Sequence, residues 1–157
     1  MGLNSALRIG DILSLRWEDV RRESAYRRHI WIREQKTGKD NMFPVNPMMV
    51  EALEFYRHYL TVYSSEKYIF ESQKDRGNPI SRSQAFRIIK KAADQCGLRE
   101  HISCHSLRKT FGYYAWKQGT PPALLMSIYN HSSYEITKRY LCIDQQEKDK
   151  VYMEIQL

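Results

Sequence analysis

Apolar residues recur at helical spacing along most of this chain and alternate in only one stretch. Met1 to Leu7 is apolar and helical in character, with no cap or polar lead, as though a helix had been cut into. Ile9, Ile12, Leu13 and Leu15 to Trp17 continue it as an amphipathic helix. Arg27 to Arg33 then alternates through His29-Ile30-Trp31-Ile32. Lys36-Thr37-Gly38-Lys39 and Met42-Phe43-Pro44-Val45 follow, so two short strands around a glycine-containing turn predict a β-hairpin. Pro47 opens a helix whose face is Met49, Leu53, Tyr56, Leu60 and Tyr63, with Ser64-Ser65 ending it. Tyr68-Ile69-Phe70 reads as a short extended piece. Ser81 and Gln84 have capping-box spacing and open a helix striped by Ala85, Phe86, Ile89, Ala92, Ala93 and Cys96, closed by Gly97. His105 to Lys117 is a helix ended by Gly119. Pro121-Pro122 starts another that runs to about Tyr129, Asn130 supplies a left-handed terminator, and Tyr134 to Leu141 forms a last short helix. The pattern predicts one compact unit, mostly α with a small antiparallel β-sheet near the N-terminal third.

Composition narrows the classes. The chain has 157 residues, enough to bury one real core, with 42% hydrophobic and 27% charged residues. No run of eighteen apolar residues is present to form a membrane span, and Met1-Gly2-Leu3-Asn4 does not begin a secretory signal. Cys96, Cys104 and Cys142 are odd in number and lack C-x-x-C spacing, which implies reduced thiols in a cytoplasmic setting. His101 and His105 stand four apart, but no acidic or thiolate partners complete a metal site. The net charge of +7 suits a polyanionic partner. Residues 1–143 hold 23 Lys and Arg against 14 Asp and Glu, whereas residues 144–157 hold 2 against 4. A basic body can face DNA, and the acidic tail suits a protein contact.

Phosphodiester transfer without a metal requires a nucleophile, cationic donors for the phosphate oxygens and a proton donor for the leaving hydroxyl. The C-terminal third supplies such a set. His105-Ser106-Leu107-Arg108 puts a histidine and an arginine three apart on one helical face. His131 follows Arg108 by 23 residues, in Asn130-His131-Ser132-Ser133, and Tyr140 follows His131 by nine.

Together these residues resemble the tyrosine recombinases of the phage integrase type. That family carries an arginine near a helix start, a lysine on a β-hairpin, a His-x-x-Arg box, a Gly-His-Ser-Ser-like turn and a tyrosine nine residues later. Here the first arginine is Arg8, the hairpin lysine is Lys36 (with Lys39 a competitor at the same tip), and the box runs from His105 to Arg108. The resemblance implies that Arg8 and Arg108 clamp the scissile phosphate, where guanidinium offers a charged fork of donors. It implies further that His131 adds a hydrogen bond, His105 assists the nucleophile, Lys36 protonates the leaving 5′-oxygen and Tyr140 forms a 3′-phosphotyrosyl link, with no metal, ATP or other cofactor. Asp11, three after Arg8, matches an acidic position that supports the site. Two positions depart from the family pattern: Asn130 stands where glycine is usual before the second histidine, and Ala6 where glycine is usual two before the first arginine.

Family members also carry an N-terminal helical domain that grips the opposite face of DNA, and one or two helices before the first arginine. The resemblance therefore implies that residues 1–157 are a single, N-terminally truncated catalytic domain that binds double-stranded DNA weakly by itself. Residues 144–157, with Val151, Tyr152, Met153 and Ile155, resemble a segment that docks on a neighbouring protomer, in an active synapse of four subunits in the bacterial cytoplasm or nucleoid. Other readings are strand cleavage of the type IB topoisomerase kind, a non-catalytic basic DNA-binding module, or a helical protein-interaction module. The intact Arg8, His105, Arg108, His131 and Tyr140 set argues for the recombinase.

Overall fold

The computed structural model describes residues 1–141 and 145–155. The first helical stretch is broken twice where the apolar pattern predicts continuity. Helix α1 (Gly2–Ser5) stops at Ala6, whose φ of 56° and ψ of 10° are left-handed, and α2 (Ile9–Leu13) restarts after an extended Arg8. An L-residue in that conformation costs roughly 1–2 kcal/mol. Burial offsets it: Ala6 packs into a C-terminal core with Leu125, Tyr129 and Leu141, and Leu7 into an N-terminal core with Trp17, Ile30 and Met49. The break is thus the point where one residue enters each core and the next, Arg8, turns outward. The second break falls at Leu15 and Arg16. There the extended piece takes the backbone: Ile69 N donates to Leu15 O at 2.9 Å, and Trp17 N donates to Lys67 O at 3.0 Å. Helix α3 (Trp17–Val20) follows.

Two antiparallel hairpins come next. The first, β1 (Arg21–Arg22) with β2 (Ala25–Tyr26), turns at Glu23 with φ 53° and carries no alternation long enough to predict. The second is the expected one, β3 (His29–Arg33) with β4 (Asp40–Pro44), in a register that pairs Ile30 with Phe43 and Trp31 with Met42. Ile30 and Phe43 face the core and Trp31 faces outward.

Helix α4 (Pro47–His58) is capped by the Asn46 side chain, which accepts from Met49 N. It ends before Leu60 and Tyr63, earlier than its apolar face predicts. Both residues still serve the same core, because Leu60 packs against it and the Tyr63 ring meets Trp17 edge-on at 5.5 Å. Helix α5 (Arg82–Gln95) starts as expected, with Ser81 Oγ accepting from Gln84 N. Its stripe is only partly covered: Ala85 and Ala93 are buried, while Ala92 and Cys96 are exposed. Helices α6 (Cys104–Lys117), α7 (Pro122–Ile128) and α8 (Tyr134–Leu141) pack on one another around the second core, and α1 lies against α6. Helix α9 (Gln145–Glu154) exposes Val151, Tyr152 and Met153. Cys142, Asp144 and residues 156–157 fall outside the described residues. No helix among those described is long and apolar enough to cross a membrane.

Candidate active site

The seam between the two cores opens into a cleft of about 960 Å³. Every residue that the spacing singles out lines it: Arg8, Asp11, Lys36, His105, Arg108, His131 and Tyr140. Each is placed there by a local feature. Ser103 caps α6, accepting from His105 N at 3.3 Å, while Ser106 Oγ accepts from Ser103 N at 3.0 Å. That fixes His105 in the first turn and Arg108 one turn later.

Arg108 is almost wholly buried. Its Nη1 donates to Ala6 O, its Nη2 donates to Tyr129 O at 2.9 Å, and the guanidinium lies 4.4 Å over the Tyr129 ring and 5.8 Å from that of Tyr140. Burial, and then the charge of Arg8, lower its pKa, against the opposing pull of Tyr140, Tyr129 and Glu34. The left-handed Ala6 is part of this arrangement, since its carbonyl receives Arg108.

Arg8 stands at the N-cap position of α2, and its Nη1 pairs with Glu34 Oε2 at 2.5 Å. Glu34 sits at the end of β3 with its side chain fully enclosed. Its carboxylate also accepts from Thr37 Oγ1 at 2.8 Å, Asn41 Nδ2 at 2.9 Å and Asn130 Nδ2 at 3.1 Å. Burial alone would raise its pKa, but these four hydrogen bonds outweigh that and hold it below the ordinary carboxylate value. Asp11 ties down the hairpin tip from the other side, with Oδ1 accepting from Gln35 N at 2.9 Å. Lys36 and Lys39 both stand exposed at this tip and both line the cleft.

Asn130 adopts φ 53°, the left-handed turn expected of it, and delivers His131 back towards the cleft. The His131 ring stacks on Tyr129 at 5.0 Å with 16° between planes, and its Nδ1 is 3.0 Å from the buried Thr137 Oγ1. Burial first, then the charges of Arg108 and Arg8, push its pKa down to about 4, so the ring is neutral at pH 7. His105 is lowered as well, by burial of its ring and then by Lys109, Arg108, Arg8 and Lys36.

Tyr140, on α8, completes the cluster. Its ring lies 4.9 Å from His105, 5.0 Å from His131 and 5.1 Å from Tyr129. The arrangement gathers the Arg8 and Arg108 guanidiniums, two neutral imidazoles and a phenol at one concave surface, with Lys36, Lys39 and Arg82 also lining it. That set can bind a phosphodiester and exchange its ester oxygen. Glu34, Thr137 and Tyr129 belong to this architecture but have no sequence signature of their own. The only hint for the last two is apolar patterning, which puts Tyr129 at the end of α7 and Thr137 on the buried face of α8.

Known proteins place the chain in a lineage. The profile described as the Phage integrase family matches residues 1–147. A probable integrase/recombinase, YoeC, of Bacillus subtilis (strain 168) is 42% identical over 153 residues, which are 96% of this chain and 78% of that protein. A tyrosine recombinase of Pseudothermotoga lettingae is 32% identical over 144 residues, 90% of this chain and 47% of that protein. The crystal structure of XerA recombinase shares the fold, with a TM-score of 0.78 at 22% identity over 99% of this chain and 56% of that one. Apart from YoeC, then, the chain spans about half the length of these relatives. With a profile that runs from the first residue through α8 and on to residue 147, across both halves of the cleft, the chain belongs to the phage integrase family.

Proposed function

We propose that this chain is the catalytic domain of a site-specific DNA recombinase that cleaves and rejoins strands through a 3′-phosphotyrosyl link at Tyr140. What carries the reading is the meeting of Tyr140 with His105, His131 and the Arg108 guanidinium in a cleft that Arg8 and the hairpin lysines also line.

On this reading Arg8 and Arg108 hold the non-bridging oxygens of the scissile phosphate. His105 is placed to take the phenolic proton as the Tyr140 oxygen attacks phosphorus. His131 is neutral. On this reading the Thr137 hydroxyl donates to Nδ1, 3.0 Å away, which puts the ring proton on Nε2 as a donor for a phosphate oxygen. The 5′-oxygen departs with a proton from Lys36. One phosphodiester replaces another, so rejoining needs no ATP, and the residues supply the charge and protons without a metal.

The partner is double-stranded DNA, and the exposed Val151, Tyr152 and Met153 of the tail suit docking on a neighbouring protomer in a four-subunit synapse. Affinity falls steeply with salt because phosphate contacts dominate. Salt-resistant binding contradicts that part. The decisive test uses nicked duplexes that trap cleavage, selected from a random-sequence library by covalent capture. The wild-type protein is expected to give an adduct that Tyr140→Phe lacks while still binding DNA. Relaxation of supercoiled DNA at arbitrary sequences would instead point to a topoisomerase.

A further inference from the structure

We infer that Glu34 is a positioning residue of this site, joining Arg8 and the lysine-bearing hairpin tip to the Asn130–His131 turn across the cleft. The inference rests on the recombinase reading above.

Glu34 takes hydrogen bonds from four separate places. Oε2 accepts from Arg8 at the start of α2, at 2.5 Å, and from Thr37 in the tip, at 2.8 Å. Oε1 accepts from Asn41 of β4 at 2.9 Å and from Asn130 beyond α7 at 3.1 Å. A carboxylate has about four lone-pair sites, and all are used. Its backbone closes the tip too: Glu34 N donates to Lys39 O at 2.9 Å, and Gly38 N donates to Glu34 O at 2.8 Å. Lys36 and Lys39 are thus held by the segment that Glu34 anchors.

The bond to Asn130 is what makes this more than a local ion pair. At φ 53° glycine is the strain-free choice. Asparagine tolerates the conformation, and its amide here reaches a residue 96 positions away. The neighbour of Asn130 is His131, whose ring meets Tyr140. One buried carboxylate therefore spans the two halves of the cleft: Arg8 and the lysine tip on one side, His131 and Tyr140 on the other. A misplacement of either half by 1 Å is enough to slow chemistry on the order of 100-fold.

The test is single-turnover cleavage of nicked duplexes captured by the wild-type protein from a random-sequence library. Glu34→Ala is expected to cleave on the order of 100-fold more slowly, with DNA affinity within about threefold of wild type, since most phosphate contacts remain. Glu34→Gln is expected to stay within about tenfold of wild type: its oxygen can serve Arg8 and Thr37, and the amides of Asn41 and Asn130 can turn to accept from its NH₂. Asn130→Gly is expected to slow the wild-type protein about fivefold and to add nothing to Glu34→Ala, because the two changes break one link. If Glu34→Ala does not fold, Glu34→Asp, one methylene too short to span the cleft, takes its place in the same cycle. A wild-type cleavage rate in Glu34→Ala overturns the inference. So does an equal cost of Asn130→Gly in both backgrounds, or rates that merely follow the loss of melting temperature. If no duplex is captured at all, the recombinase reading fails and takes this inference with it, whereas an adduct with unaltered Glu34→Ala kinetics overturns the Glu34 assignment alone.

Discussion

Gly112→Ala is expected to destabilise the fold, although alanine is the better helix former. Gly112 lies in the middle of α6, where Ala in place of Gly gains about 1 kcal/mol from propensity. A Cβ there, however, lands against Tyr129: 3.0 Å from Cζ, 3.1 Å from Cε2 and closer still to the hydroxyl oxygen. Tyr129 has little room to yield, because it is wholly buried and its hydroxyl donates to Arg108 O at 2.7 Å. Its ring also carries the Arg108 guanidinium and the His131 imidazole. Overpacking of this kind costs about 1–3 kcal/mol, and at the upper half of that range the net loss is about 1–2 kcal/mol. For a domain of this size that is a fall in melting temperature of about 2–8 °C. Thermal unfolding followed by circular dichroism measures it, and Gly112→Ala should cost less in a Tyr129→Phe background, where the closest atom is gone. Stabilisation by about 1 kcal/mol, the bare propensity value, would refute the reasoning, since it would mean that Tyr129 does not lie against α6.

Three further expectations concern the same site. Ser103→Ala removes the cap that places His105 and Arg108, and should cost about 1 kcal/mol in chemical denaturation; no change would mean that the capping box does not hold α6. His131, lowered to about 4 when folded from an ordinary value of 6.5, is neutral in the fold, so unfolding takes up protons between those pH values and stability falls as pH drops through that window. Melting temperatures at pH 7 and pH 5 should therefore diverge more for wild type than for His131→Gln, and equal divergence contradicts the burial of that ring. Lys36→Ala should slow cleavage of ordinary DNA by at least about 100-fold and recover on a substrate whose leaving 5′-oxygen is sulfur, which departs without a proton donor. Lys39→Ala should show neither effect, and the reverse result would transfer the role to Lys39.

How much of this was legible in the sequence depends on where each element gets its instructions. Helices α5 to α8 carry their own: the Ser81 cap, Pro121-Pro122, Gly97 and Gly119 at the ends, and the left-handed Asn130, while the Ser103 cap of α6 is seen only in the structure. The β3–β4 hairpin carries a clear alternation. The breaks at Ala6 and Leu15 are written elsewhere in the chain, in the Arg108 side chain that binds Ala6 O and the Ile69 amide that binds Leu15 O. Local periodicity cannot anticipate such partners, so one amphipathic helix was expected where three short ones form. The site divides in the same way. The cleft residues that stand at motif spacings, from Arg8 to Tyr140, could be read, whereas Arg82 and Phe86 of α5 also line the cleft without such a signal. Glu34 could not be read, because its meaning lies in joining two donors of its own hairpin, Thr37 and Asn41, to two from distant parts of the chain, Arg8 and Asn130, and a glutamate at the end of a strand signals nothing by itself.

The central claim is that Tyr140 takes the phosphate. Digesting the covalent protein–DNA adduct with trypsin and nuclease, then locating the residual nucleotide by mass spectrometry, tests it most directly. The account predicts a nucleotide on the peptide that begins after Arg139, with the modification on Tyr140 and no adduct in Tyr140→Phe. A nucleotide on Tyr134 or any other residue, or an adduct that survives in Tyr140→Phe, contradicts it.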